Sequence, residues 1–114
     1  MSYIYIASPY SHPDPEVREW RFRSVCWYAG ECLARGEDVF SPIAHTHPIA
    51  ENHDLPAGWD FWKKIDTTML RMARELRVLK LPGWEESVGV KEECVLATLL
   101  NLPITYVEWN RNDY

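Results

Sequence analysis

A short segment near the end of the chain combines residue types that could bind and attack a small molecule. Ser87 and Gly89 follow the apolar run Leu76–Leu81, at the point where a helix should begin. The first backbone N–H groups of a helix have no partner within it, and they favour an anion or a sugar hydroxyl. The segment is therefore a candidate anion-binding turn.

Glu93 lies one turn beyond Gly89, on the face of the same predicted helix that should pack inward. The apolar residues of that face are Val90, Cys94, Ala97 and Leu100. A buried carboxylate costs free energy unless it has a partner or a catalytic role. An anion-binding turn and an inward acid on one helix indicate an enzyme that acts on a small sugar or nucleotide.

The elements that must position these residues alternate between strands and helices. Short β-rich runs predict strands over residues 3–7, 38–41, 76–81 and 104–107, and apolar periodicity predicts helices over 15–35, 59–74 and 85–101. The residues predicted to face inward are Phe22, Val25, Cys26, Ala29, Cys32 and Leu33 in the first helix, and Trp62, Ile65, Met69, Leu70 and Ala73 in the second. The segment 42–58, rich in Pro and His, is predicted to be a long functional loop.

This alternation predicts one α/β domain over residues 1–114. We expect a flavodoxin-like (Rossmann-like) three-layer sandwich with a parallel sheet of four or five strands. Ligands of such sheets bind beyond the carboxyl ends of the strands. That rule should bring together the segments Ser8–His12, Ser41–His47 and Pro82–Gly89.

The order of several motifs resembles the nucleoside 2-deoxyribosyltransferase superfamily, which includes nucleoside 5'-monophosphate N-glycosidases. The matching parts are the run Tyr3–Tyr10, then Asp66, then Ser87-x-Gly89-x-x-x-Glu93. The runs Ser8–Ser11 and Phe40–Ile49 are similar to an uncharacterised subfamily common in phages and bacteria. The resemblance spans nearly the whole chain. It departs before the central strand, where members often carry an Asp and this chain has Arg74-Glu75.

The resemblance implies a covalent mechanism at a sugar. Glu93 would attack the anomeric carbon and release the base, and water or a second base would then resolve the glycosyl-enzyme. Asp66 would handle the proton of the leaving base or hold the sugar, and Tyr5 would orient the nucleophile. Ser87 matches the monophosphate hydrolases, whereas the transferases tend to have an acid there, so a 5'-phosphate is the expected ligand group at Ser87 and Gly89.

Several further residues are candidates for binding this substrate. Arg21 is a candidate for the phosphate, His45 and His47 for the phosphate or a base edge, and Trp62 for stacking on the base. Ser8, Pro9 and Tyr10 are included because they follow the first strand. His45-x-His47 alone is a weak zinc signal, so neither a metal nor a cofactor is expected.

Composition narrows the partners and the compartment. The net charge of -5 argues against a polynucleotide, and no segment resembles a signal peptide or a membrane span. Three cysteines without C-x-x-C spacing indicate buried thiols in a reducing compartment, hence the cytoplasm. Six Trp and six Tyr indicate a pocket or an interface, and related enzymes share active sites between subunits, so a homodimer or homotetramer is expected.

The residues leave other interpretations open. Glu93 and Asp66 could be partly exposed helix acids, Tyr5 a core residue and Ser87 only a helix cap. On the same fold the protein could exchange bases as a 2-deoxyribosyltransferase, sense nucleotides without turnover, or cleave a dinucleotide such as NAD. It could also be a partner-binding protein with a Trp-rich surface.

Overall fold

Four parallel strands form the centre of the molecule, and the structure, a computed structural model, describes residues 2–110. The strands are β1 (Ile4–Ala7), β2 (Val39–Phe40), β3 (Glu75–Lys80) and β4 (Ile104–Glu108). The helices are α1 (Pro15–Ala34), α2 (Pro42–His53), α3 (Trp59–Arg71) and α4 (Val88–Leu99), and a short 3-10 turn, Trp84–Glu86, precedes α4.

The sheet has the strand order β2-β1-β3-β4, with every neighbouring pair parallel. The chain moves outward from β1 to β2 and then returns to the other side of β1 to form β3. The direction of winding therefore reverses between β1 and β3, and such a switch point is where doubly wound sheets bind ligands.

Side chains of the strands alternate between two apolar layers, as the pleat of a strand requires. Tyr5 and Val78 belong to a core cluster with Leu70 of α3, whereas Ile6 and Leu79 belong to a second cluster with residues of α1. The second cluster has Val25, Tyr28, Cys32 and Leu81 as its other buried members. Helix α4 closes the first layer, and α2 packs beside α1. The flavodoxin-like three-layer prediction is confirmed.

The predicted loop over residues 42–58 is wrong for most of its length, because Pro42–His53 forms helix α2. Ser41 is its N-cap, and its hydroxyl accepts a hydrogen bond from the Ala44 N–H. Pro42 occupies the first turn, where the missing N–H costs nothing. Pro48 lies inside the helix, where a proline removes one backbone hydrogen bond and its ring clashes with the preceding turn. The packing of α2 against α1 offsets this cost.

Three apolar residues predicted to face inward are exposed instead: Leu33, Ile65 and Leu100. In α3 the inward position next to Ile65 is taken by Asp66, which is buried. The helices also end earlier than predicted, α3 at Arg71 and α4 at Leu99, and α4 begins at Val88. Cys32 is buried, whereas Cys26 and Cys94 are partly exposed.

The described residues form a compact body with a radius of gyration of 13.1 Å. Within residues 2–110, none of the helices combines the length and the apolar character needed to cross a bilayer.

Candidate active site

A cleft of about 710 Å³ opens at the carboxyl ends of β1 and β3. This volume lies in the range of pockets that hold small ligands. All three segments predicted to meet contribute to its walls. The lining residues are Ser8, Tyr10, Ser11, His12, Arg21, Pro42, Ile43, Thr46, Ala57, Gly58, Trp59, Asp60, Trp62, Asp66, Gly83, Glu86, Ser87, Val88, Gly89 and Glu93.

Glu93 is buried in the wall of the cleft and is held by a strand residue. It projects from α4 and is only 5% exposed. The hydroxyl of Tyr5, which is itself fully buried in β1, donates a hydrogen bond to Glu93 Oε2. Tyr5 and Glu93 are 88 positions apart in the sequence, so no local pattern could have shown that they form a pair.

Burial determines the ionisation of this acid. Desolvation raises the pKa of Glu93 to about 8, the hydrogen bond from Tyr5 partly opposes the rise, and the charge of Asp66 adds to it. Burial together with the two carboxylates raises the pKa of Tyr5 well above its usual value. At neutral pH the cleft therefore contains a protonated carboxyl with a phenol donor beside it.

Asp66 is the second acid of the cleft and reaches it from α3. The residue is 9% exposed, and burial raises the pKa of its carboxyl to about 7. Trp59 lies two turns earlier on the same helix and also lines the cleft. Two carboxyls with raised pKa values in one cleft form an arrangement typical of acid–base and nucleophilic catalysis.

The first turn of α4 forms the floor of a possible anion subsite. Ser87 is the N-cap, and its oxygen accepts a hydrogen bond from the Val90 N–H, which leaves the hydroxyl hydrogen free to donate into the cleft. A Cβ on Gly89 would lie 3.3 Å from the Trp59 ring. A larger residue at this position would require the indole to move by a few tenths of an ångström, because the ring packs closely on the helix turn.

Arg21 is a buried cation that lines the cleft beside the loop leading to Ser87. It is 9% exposed, and its guanidinium donates to the carbonyls of Ser11 (2.9 Å) and Pro82 (3.2 Å). Within residues 2–110 it forms no ion pair with a carboxylate, and its Nε and the Ser8 hydroxyl are buried without hydrogen-bond partners. Gly83 has φ +93°, and a Cβ there would lie 2.5 Å from the guanidinium. Glycine is therefore required where the loop passes Arg21.

Some predicted binding residues do not line the cleft. His45 is exposed beside the Phe40 ring, and Pro9 is fully buried behind the wall. His47 is 4% exposed and contacts the cleft only through Tyr10. The two histidines are separated because both lie in the unexpected helix α2, in which residues two apart point to different sides.

Other predicted residues do line the cleft, and several residues that line the cleft were not predicted. Ser8, Tyr10, Arg21, Trp62, Asp66, Ser87, Gly89 and Glu93 all line the cleft. Thr46 and Glu86 also line the cleft and were not among the predicted binding residues, and Trp59 lies seven residues before Asp66 on the same face of α3. Glu75, which could have replaced the missing family acid, lies at the opposite end of β3 beside Arg77.

A family model described as "Domain of unknown function (DUF1937)" matches residues 2–109, almost the whole chain. The chain belongs to the DUF1937 family. No curated protein matches this DUF1937 chain. Any function of the DUF1937 cleft must therefore be argued from its own residues.

The buried acid predicts an unusual dependence of folding stability on pH. The ordinary pKa of glutamate is 4.5 and that of folded Glu93 is about 8, so the folded state keeps a proton that the unfolded state releases between these pH values. The free energy of unfolding should therefore fall as pH rises through this window. Asp66 contributes with the same sign, between 3.8 and about 7.

Glu93→Gln removes the Glu93 contribution while keeping a neutral side chain. The quantity to compare is the free energy of unfolding of Glu93→Gln minus that of the parent. We expect this difference to be about 2–4 kcal/mol larger at pH 8.5 than at pH 4.5. Urea unfolding at both pH values measures this difference. Glu92→Gln, at an exposed position, is the control, and a pH-independent effect of Glu93→Gln would contradict the assignment of a protonated buried acid.

Proposed function

We propose that this protein is an N-glycosidase that cleaves the base–sugar bond of a (deoxy)nucleoside 5'-monophosphate. The observation that carries the proposal is the buried pair of acids, Glu93 and Asp66, in one cleft, with the Tyr5 hydroxyl bonded to Glu93. This agrees with the resemblance to the nucleoside 2-deoxyribosyltransferase superfamily. A cleft of about 710 Å³ is large enough for a nucleotide.

The reaction follows from the chemistry of these groups. Ionised Glu93 attacks C1' of the sugar and forms a glycosyl ester as the C1'–N bond breaks. Protonated Asp66 gives its proton to the departing nitrogen, so the base leaves as a neutral molecule. A water molecule then attacks C1', loses a proton to Asp66, and releases Glu93. The Tyr5 hydroxyl orients the Glu93 carboxylate and stabilises it when it is released.

Base exchange is the alternative within the same mechanism. A 2-deoxyribosyltransferase forms the same glycosyl ester but transfers the sugar to a second base instead of to water. Ser87 favours the hydrolase, because a serine hydroxyl at a helix N-terminus donates to a phosphate. An acid at this position would instead hold a free 5'-hydroxyl.

The direct test is incubation with a panel of nucleoside and deoxynucleoside 5'-monophosphates, followed by chromatography for free base. Release of a base and a sugar phosphate supports hydrolysis. A second free base added to the same reaction distinguishes transfer, because a new nucleotide would form. Tight nucleotide binding without any base release would instead favour a sensor, and the catalytic proposal would then be wrong.

Arg21 supports a phosphate as part of the substrate. Its buried charge has no carboxylate partner among residues 2–110, and a bound anion would supply one. Burial lowers the pKa of the guanidinium, yet an arginine remains charged at physiological pH. Together with the free hydroxyl hydrogen of Ser87, this charge forms the proposed phosphate subsite.

Arg21→Gln should therefore lower the preference for a nucleoside monophosphate over its nucleoside. We expect the ratio of the two kcat/KM values to fall about 10- to 100-fold, the range for a hydrogen bond to a charged group. A ratio is measured because Arg21 also joins two loops, and a general loss of structure would affect both substrates. Arg71→Gln, at an exposed position, is the control. An unchanged ratio would exclude Arg21 from phosphate binding.

We also propose a homodimer or homotetramer with shared active sites. Exposed Val88, Val95 and Leu99 follow one face of α4, and a groove of about 240 Å³ between α3 and α4 reaches Glu93 from a second side. A second copy of the chain seated there would shield Glu93 from bulk water. Leu99→Glu should then halve the particle mass in sedimentation experiments. A parent protein that sediments as a monomer would contradict this assembly.

The cytoplasm is the proposed location of this activity. Cys26, Cys32 and Cys94 are free thiols, which suits a reducing compartment. The expected ligand is a nucleoside monophosphate, not a polynucleotide, and nucleoside monophosphates are small metabolites found inside cells.

A further inference from the structure

His47 is the centre of a hydrogen-bonded chain that leads away from the cleft wall. The Tyr10 hydroxyl lies 2.6 Å from His47 Nδ1, and Glu19 Oε1 lies 3.0 Å from His47 Nε2. The imidazole stacks on Phe22 with a centroid distance of 4.2 Å, which fixes its plane. Tyr10 lines the cleft, whereas Glu19 and His47 do not. This group is separate from the two acids and Tyr5.

The partners of His47 determine the direction of both hydrogen bonds. The hydrogen bond from His47 lowers the pKa of Glu19, with further help from Arg23, so Glu19 is a carboxylate that only accepts. His47 Nε2 therefore carries a hydrogen. When the imidazole is neutral, Nδ1 carries no hydrogen, so it accepts a hydrogen bond from the Tyr10 hydroxyl. This arrangement satisfies all three groups at once.

With His47 in this neutral form, Tyr10 has no hydrogen left to donate into the cleft. Burial raises the pKa of its phenol, so the hydroxyl stays protonated and bonded to His47. The other charged groups that face it are Glu51, which raises the pKa, and Arg18, which lowers the pKa by its charge and by a hydrogen bond to the phenolic oxygen. A phenolic oxygen keeps acceptor capacity while it donates. Toward a ligand, Tyr10 can therefore act only as an acceptor.

We propose that Glu19 and His47 are positioning residues that hold Tyr10 as a hydrogen-bond acceptor, so that the cleft selects a nucleotide presenting a donor at this wall. That the ligand is a nucleotide rests on the proposed function. Two groups of a nucleotide supply such a donor, a sugar hydroxyl and an amino group of the base. A ligand group that only accepts hydrogen bonds, such as a base carbonyl, would be disfavoured at the same point.

Affinity measurements can distinguish these donors without turnover. The Glu93→Gln protein is titrated calorimetrically with AMP, its 2'-deoxy and 3'-deoxy forms, and the amino–carbonyl pairs AMP/IMP and CMP/UMP. One lost donor should weaken binding about five- to tenfold. Adding Tyr10→Phe should remove that discrimination and leave the affinity of the analogue lacking the donor unchanged.

His47→Phe tests the positioning role, because it keeps a ring against Phe22 and removes both nitrogens. It should reduce the same discrimination as Tyr10→Phe does, and in the active parent it should raise KM more than it lowers kcat. Tyr106→Phe and His53→Phe are matched controls at exposed positions outside the cleft. If His47→Phe fails to fold, Tyr10→Phe, which removes one oxygen atom, decides the matter.

The outcomes separate this inference from the proposed reaction. A changed ranking of ligands in Tyr10→Phe together with no base release by the parent would reject the N-glycosidase and support the acceptor. Base release by the parent with an unchanged ranking of ligands in Tyr10→Phe would support the N-glycosidase and reject the acceptor role of Tyr10. Equal weakening of all ligands in Tyr10→Phe, or no binding of any nucleotide, overturns the acceptor role.

Discussion

Glu93→Ala is expected to lower kcat/KM for nucleotide hydrolysis by about 10⁴-fold or more, because the covalent route through this side chain is lost. The reason is geometric: Glu93 is the carboxylate of α4 that lines the cleft, and Tyr5 fixes its orientation. Without it no glycosyl ester can form, and direct attack by water would have to proceed without a covalent intermediate. Initial rates with the best substrate of the panel measure this effect.

Glu92→Ala provides the matched control, because it changes the adjacent acid on the same helix. Glu92 is exposed and does not line the main cleft, so its loss should change kcat/KM less than about twofold. The covalent intermediate gives an independent readout. Intact-mass measurement of the parent during turnover of a slow substrate should detect the added sugar phosphate, and the mass should be absent in Glu93→Ala. Full activity of Glu93→Ala would reject the mechanism.

The layout of the fold was predictable because each element carries its own local signal. Alternation of short β-rich runs with periodic helices identified the parallel sheet, and the strand-end rule brought the three loop segments together at one cleft. The buried position of Glu93 was predictable from helical periodicity. Its hydrogen bond with Tyr5 was implied only by the family resemblance, since no periodicity connects β1 with α4.

Helix α2 was the main failure, and the signal that could have identified it was present. Ser41 followed by Pro42 is the same N-cap and first-turn combination that Asp14 and Pro15 form at the start of α1. Pro48 and the histidines outweighed it in the prediction. Once the segment is helical, His47 turns inward and His45 turns out, so the predicted pair of binding histidines separates.

Asp66 illustrates a second limit of sequence patterns. Apolar periodicity assigned Ile65 to the inward face of α3, yet Asp66 is buried and Ile65 is exposed. A rule that expects apolar residues inside cannot anticipate a carboxyl in the wall of a cleft. The buried face of this helix includes a functional group, and such sites are where local consistency is expected to fail.

Asp66→Asn is expected to lower kcat/KM by about 10²- to 10³-fold and to change the shape of the pH profile. In the parent the reacting form needs Glu93 ionised and Asp66 protonated. The pKa of Glu93 is about 8 and that of Asp66 is about 7, so this form is a minority, about 6% of the protein at its maximum. Parent kcat/KM should rise to pH 7, peak between 7 and 8, and fall above 8.

In Asp66→Asn only Glu93 still titrates, so the fall above pH 8 should disappear and a plateau should replace it. The midpoint of the rise toward that plateau should lie below pH 8, because the charge of Asp66 no longer adds to the effect of burial on the pKa of Glu93. Asp38→Asn, at an exposed position outside the cleft, should keep the bell-shaped pH profile of kcat/KM that the parent shows. Rates measured from pH 5 to 9.5 decide between these shapes. An alkaline fall that persists in Asp66→Asn would assign the proton donor to another group, and a parent rate that falls steadily from pH 5 would exclude an ionised Glu93 as the attacking group.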